Sequence, residues 1–136
     1  MKSLWLMPAL AIVVIILFGG CGKSGPELYR IRGVVTHQGK PVPKLYLVFR
    51  PDDLTKYAEA VAVSDANGRF EMMIGSTVGV FPGPHTVIAE DPLAVQGAKT
   101  SDDPAYSAVC KKYSADASPL KLTIDKNESN LELKLD

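Results

Sequence analysis

The sequence predicts an all-β domain: seven short strands in two antiparallel sheets packed face to face, with one short helix, carried behind an N-terminal leader. Three observations predict it. Apolar and polar residues alternate with period two in seven stretches between Tyr29 and Leu135, the pattern of a strand with one buried face. Clusters of Gly, Pro, Asn and Asp separate most of those stretches and supply turn chemistry. Past residue 20 no helical periodicity runs long enough for a major helix, which leaves sheet on sheet as the way to bury the apolar faces.

The leader comes first. Lys2 precedes an apolar run from Leu4 to Phe18, and Gly19-Gly20 stand before Cys21. A short cationic region, an apolar core and small residues ahead of a cut are the layout of an export signal. The run falls short of the roughly 20 apolar residues that span a ~30 Å hydrocarbon core, and Pro8 interrupts it, so an uncleaved membrane anchor is disfavoured. A cysteine directly after the small pair resembles the lipobox of bacterial lipoproteins, with Phe18 in the place where Leu is usual and Leu17 one step further away. The competing reading is an ordinary secretory signal that leaves Cys21 as a free or paired thiol. If Cys21 is the acceptor, a diacylglyceryl thioether and an amide-linked chain such as palmitate hold the new N-terminus in a membrane. At ~0.8 kcal/mol per buried methylene, that attachment is effectively permanent. Gly22, rather than Asp, follows the cysteine, which in Gram-negative bacteria resembles sorting to the outer membrane. The expected organisation is a signal peptide over 1–20, an acylated cysteine and tether over 21–28, and one β-sandwich over 29–136.

Composition bounds the partners. The 136 residues less the first 20 leave 116, one domain able to bury about two-thirds of its unfolded surface without disulfide staples. Basic and acidic residues balance at 15 each, and removing Lys2 leaves 14 against 15. The cations are scattered, Lys111-Lys112 being their only adjacent pair; nucleic acid, which calls for a basic patch or stripe, is not an expected partner. With Cys21 acylated, Cys110 is a lone thiol in an oxidising compartment. It reads first as a small buried hydrophobe, with intermolecular pairing or a reactive role as the other readings.

The strands follow in order. Tyr29, Ile31, Gly33 and Val35 alternate with polar or smaller partners up to Thr36, and His37-Gln38-Gly39-Lys40-Pro41 turns the chain. Leu45, Leu47 and Phe49 alternate up to Pro51. Ala60–Val63 and Phe70, Met72, Ile74 flank Ser64-Asp65-Ala66-Asn67-Gly68 and read as a hairpin. Residues 75–84 carry three glycines and two prolines and read as a loop leading into a strand over His85–Glu90. Asp91–Ser118 is long for a connection inside a compact domain. It contains a helix signal: Asp103 as cap, Pro104 at the first helical position, and Tyr106, Val109, Cys110 and Tyr113 on one face. Leu120, Leu122, Ile124 and then Leu131, Leu133, Leu135 supply the last two strands.

Several of these segments are recognisable together. Gly33-Val34-Val35-Thr36, Gly39-Lys40-Pro41-Val42 and Phe49-Arg50-Pro51 resemble the opening of the carboxypeptidase-regulatory-like domain. Ser64–Phe70 resembles its central hairpin, Pro82–Val87 its next strand start, and Lys112-Tyr113 with Ser118-Pro119-Leu120 its closing region. The resemblance implies a transthyretin-like, Ig-like β-sandwich over nearly all of the chain after the leader. Where many members have Ile-Pro before a Lys-Tyr pair, this chain has Val109-Cys110-Lys111, which makes a helix there easier.

Candidate chemistry is sparse. Asp65-Ala66-Asn67-Gly68 opens like a calcium loop, but the twelfth position is Ser76 where a bidentate Glu is needed; it reads as a turn, and no metal or other cofactor is expected. His37 and His85 lack motif partners. Transthyretin-like hydroxyisourate hydrolases end in Tyr-Arg-Gly-Ser, whereas this chain ends Leu131-Glu132-Leu133-Lys134-Leu135-Asp136, so a hydrolase is a remote alternative. The expected function is a non-catalytic, lipid-anchored cell-envelope module that binds or assembles with another envelope protein or a glycan, through a surface on Asp91–Ser118 with Tyr106 and Tyr113. A structural envelope protein without a specific ligand is the alternative.

Overall fold

The computed structural model describes residues 27–136, so the leader, Cys21 and most of the tether lie outside the described residues. The chain forms β1 (Ile31–His37), β2 (Lys40–Pro41), β3 (Tyr46–Pro51), β4 (Ala60–Val63), β5 (Arg69–Glu71), β6 (Met73–Ile74), β7 (Thr77–Val78) and β8 (Gly83–Glu90). A 3-10 turn (Ala94–Gln96), α1 (Pro104–Lys112), β9 (Lys121–Ile124) and β10 (Glu128–Lys134) complete it. The described residues are mostly β, with two sheets and one α-helix.

The first sheet is centred on β1, which pairs with β10 on one side and with β2 and β5 along successive stretches. The second has the order β7-β6-β4-β3-β8-β9 and is antiparallel throughout. One core joins them. Ile31, Val35, Phe70 and Leu133 from the first sheet meet Leu47, Phe49, Val87 and Ile124 from the second. Across β3 the large residues face small ones: Phe49 lies opposite Ala60, and Leu47 opposite Ala62 and Ala89. That leaves room for Phe49 to meet Phe70 of the other sheet edge-on, with ring centroids 6.5 Å apart at 65°, a favoured aromatic geometry.

Three expectations change. Ten strands form among the described residues rather than seven, because β2 and β7 are two-residue ladders with no periodicity to read and the run from Phe70 to Ile74 is split into β5 and β6. The arrangement is not wholly antiparallel, since β10 runs parallel to β1, from Ile31 opposite Glu128 to Thr36 opposite Lys134. Alternation specifies which face of a strand is buried, not its neighbour or its direction. The hairpin across residues 60–74 is divided: β5 joins the first sheet through β1, and β6 joins the second, where Val61 lies opposite Met73. The buried Met72 is the pivot. Its N–H donates to the Ile31 carbonyl at 3.0 Å, and its carbonyl accepts from the Gly79 N–H at 3.0 Å.

The helix forms where its caps predict. The Asp103 carboxylate accepts from the Ala105 N–H at 2.9 Å, Pro104 opens the first turn, and Lys111 and Lys112 lie in the last, where cations suit the helix dipole. The long connection gains structure of its own from Asp91. Its carboxylate accepts from the Leu93 N–H at 2.9 Å and the Thr100 N–H at 2.8 Å, and also from the Thr100 hydroxyl. Against a burial penalty, these Thr100 and Leu93 donors hold the carboxyl below its usual range.

Candidate functional site

Tyr106 and Tyr113 are buried rather than displayed on a surface, although Tyr106 also lines the pocket described below. They are 6% and 5% exposed, and with Val109 they turn the inner face of α1 into the core. The phenol of Tyr106 donates to the Lys44 carbonyl at 2.8 Å and that of Tyr113 to the Asp136 carbonyl at 2.9 Å. Burial pushes the Tyr106 hydroxyl up to about 12. The spacing 106, 109, 113 is that of a helix face packing on a sheet, and a phenol tip is buried cheaply when a backbone carbonyl accepts its proton.

The concave site lies at the other end of the same connection. A pocket of about 420 Å³ opens between the segment after β1, from His37 to Lys44, and the segment leading into α1, from Thr100 to Tyr106. The first wall is made by backbone that is hard to hold. Gln38 and Lys44 have φ of 49° and 53°, left-handed values that are uncommon outside glycine. Such a conformation persists where its surroundings over-determine it. At Lys44 they do so through three links. Its N–H donates to the Ser64 carbonyl at 3.0 Å, its own carbonyl takes the Tyr106 phenol, and the adjacent Leu45 N–H donates to the Ser64 hydroxyl at 2.9 Å. The buried Ser64 hydroxyl in turn donates to the Val42 carbonyl at 2.7 Å. Gln38 is held by its N–H donating to the Asp136 carboxylate at 2.6 Å.

The second wall presents Thr100, Ser101 and the Asp103 cap, with the Ser101 hydroxyl accepting from the Asp103 N–H at 3.1 Å. Lys40 and Lys44 are its cations, and Pro41, Val42 and Pro43 line the apolar side. The second wall lies within the Asp91–Ser118 connection that the sequence offered as a binding surface, whereas the first was read only as a turn. The available signal was Pro41 and Pro43 spaced two apart, which prevents the chain after β1 from continuing as a central strand.

The remaining sequence candidates are placed as follows. Asp65 closes its own turn: its carboxylate accepts from the Asn67 N–H at 2.8 Å and the Arg69 N–H at 2.9 Å, and Gly68 takes φ 74°. His37 Nδ1 donates to the Leu135 carbonyl at 2.6 Å and so fastens the chain end to β1. His85 is fully buried on β8 beside Phe49; Nδ1 donates to the Gly83 carbonyl at 2.9 Å, and Nε2 has no partner among the described residues. Burial drives its pKa down, partly opposed by the Gly83 carbonyl and the charge of Asp52. Cys110 is a half-buried free thiol packed against the core. Burial, with Asp91 and Glu90 nearby, pushes it up to about 11, so little thiolate forms near neutral pH. Among the described residues no three His, Cys, Asp or Glu side chains gather as a metal site, and no helix is long and apolar enough to cross a membrane. Cys21 lies outside the described residues.

Comparison of the chain with protein-family models, with curated proteins and with solved structures finds no match.

Proposed function

We propose that the protein is a cell-envelope lipoprotein in which Cys21 carries the lipid and a non-catalytic β-sandwich of the transthyretin-like, carboxypeptidase-regulatory-like kind acts as a binding or assembly module. The single observation that carries this reading is the order Lys2, apolar Leu4–Phe18, Gly19-Gly20, Cys21 at the head of the chain. Two acyl attachments make the tether stable where one chain alone gives marginal binding. In a Gram-negative host the Gly22 that follows suits sorting to the outer membrane.

The binding role is supported by the pocket between His37–Lys44 and Thr100–Tyr106, whose first wall is held in left-handed backbone at Gln38 and Lys44 by hydrogen bonds to Asp136, Ser64 and Tyr106. Loops on a rigid sheet scaffold are where such domains bind. The non-catalytic reading is supported by the side chains that could do chemistry. His85 is enclosed, His37 is tied to the Leu135 carbonyl, and the Cys110 thiol is held protonated by burial.

Metabolic labelling with an alkyne-bearing fatty acid tests the anchor: wild type acquires the label and Cys21→Ala does not. Label in both, or in neither, sinks the reading. Capture from detergent extracts tests the pocket. Deletion of the connection would remove Tyr106, Val109 and Tyr113 from the core, so the informative variants lie on the rim, Lys40→Glu and Ser101→Arg. Loss of a stoichiometric partner from both, with folding intact, supports binding there. Retention of the partner places binding elsewhere, and a folded protein that captures nothing favours the structural envelope role.

A further inference from the structure

The outer face of the first sheet collects cationic charge that the linear sequence disperses. Three of the four arginines in the chain lie on it. Arg30 and Arg32 flank the buried Ile31 at the start of β1 and point away from the core. Arg69 of β5 lies opposite Val34, diagonal to Arg32, a separation of about 7–8 Å along a sheet. Lys134 of β10 lies opposite Thr36 on the same face. Two acids share the face: Glu71, directly opposite Arg32 in the ladder, pairs with Arg30 Nε at 2.7 Å, and Glu132, which lines the groove beside Val34, lies 3.9 Å from Lys134; four cations against two acids leave an excess of two. Arg32 and Arg69 themselves form no salt bridge among the described residues. They border an open groove of about 840 Å³, floored by Gly33 and Val34 and closed by Asn130 and Leu131 of β10.

The outer face of the second sheet has the opposite balance. Arg50 is paired with Glu59 at 2.7 Å and Lys121 with Asp52 at 3.7 Å, while Glu90 forms no salt bridge among the described residues. The positive excess is therefore one-sided, and it lies on the sheet that begins where the tether ends. Tyr29 is clamped to Val80 by two backbone hydrogen bonds of 2.9 and 2.8 Å, so the chain is fixed to the domain one residue before Arg30. Eight residues lie between Cys21 and Arg30, so nine Cα-to-Cα steps give a reach of at most about 32 Å when fully extended.

We infer that this face, through Arg32 and Arg69, docks the domain onto the anionic lipid headgroups of the bilayer that holds the Cys21 lipid. The inference rests on that anchor. A tether this short confines the domain near the surface, and a face with two uncompensated cations is drawn to acidic lipid over a Debye length of ~8 Å at physiological salt. Docking by this face leaves the Arg50 face directed away from the membrane.

The test uses full-length protein whose intact mass has first shown the acyl additions, reconstituted in vesicles of neutral phosphatidylcholine or of phosphatidylcholine with one-third phosphatidylglycerol. Arginine labelling by phenylglyoxal is followed residue by residue by mass spectrometry, with Arg50 as internal reference. Arg32 and Arg69 should label about fivefold more slowly on acidic vesicles than on neutral ones, at about fivefold per charge held at the surface. Arg50 should be unchanged, and high salt should erase the difference. Equal labelling on the two vesicles would overturn the inference, as would equal slowing of Arg50. Absence of the acyl mass removes the anchor and this inference with it, whereas acyl mass with equal labelling removes the docking face alone.

Discussion

Replacing Ser64 by alanine removes one oxygen and strands two backbone groups. The Ser64 hydroxyl donates to the Val42 carbonyl at 2.7 Å and accepts from the Leu45 N–H at 2.9 Å. Ser64 is 2% exposed and Leu45 fully buried, so water does not replace the lost partner without opening the site. A stranded buried donor costs ~1–3 kcal/mol, and a carbonyl with two lone pairs costs less; the sum is about 3 kcal/mol. Against the ~5–15 kcal/mol that stabilises a domain of ordinary size, that is a large fraction. It corresponds to a fall in melting temperature of roughly 12 °C at about 4 °C per kcal/mol. Denaturant midpoints for wild type, Ser64→Ala and the exposed helix control Ser107→Ala decide it. The control should move by no more than ~0.5 kcal/mol. A Ser64→Ala loss below ~1 kcal/mol would refute the claim that this hydroxyl holds Val42 and Leu45, and with it the account of how the left-handed Lys44 is maintained.

Three further outcomes are expected. His85 is neutral when folded, because burial holds its pKa below the ordinary 6.5. The unfolded chain therefore takes up a proton that the folded one does not once pH falls below ~6.5. Stability is complete above that pH and declines below it, by up to ~1.4 kcal/mol per pH unit until the folded His85 itself titrates; urea midpoints from pH 8 to 5 should show the slope in wild type and lose it in His85→Phe. Gly33→Ala would place a Cβ 2.0 Å from the Leu131 carbonyl oxygen, forcing β10 away from β1 at a cost of about 3 kcal/mol, read as lower stability with faster amide exchange in β10. Asp103→Ala removes the carboxylate that accepts from the Ala105 N–H and should cost ~1 kcal/mol, while Asp103→Asn should restore most of it.

What was legible in the sequence followed local rules. Leu45, Leu47 and Phe49 alternate because one face of β3 is core, and Asp103-Pro104 starts a helix because the cap and fixed φ act within a few residues. What was not legible depends on partners far along the chain. The parallel pairing of β1 with β10 joins the first and last strands, and the division at Met72 arises because its N–H and carbonyl bond to different sheets. The burial of the two tyrosines was hidden for a related reason. Tyr106 and Tyr113 have polar tips that suit a surface, yet the Lys44 and Asp136 carbonyls that satisfy them are brought in by other segments. The arginines of the first sheet face were similarly dispersed, since β5 pairing sets Arg69 near Arg32 across 37 positions of sequence.

The central claim is that the domain is held to a membrane through Cys21, and intact mass of protein extracted from membranes measures it most directly. The account predicts a wild-type mass equal to residues 21–136 plus a diacylglyceryl group and an acyl chain, with that addition lost in Cys21→Ala. An unmodified wild-type mass would contradict it, return Cys21 as a thiol available to Cys110, and leave a secreted or periplasmic domain without an anchor.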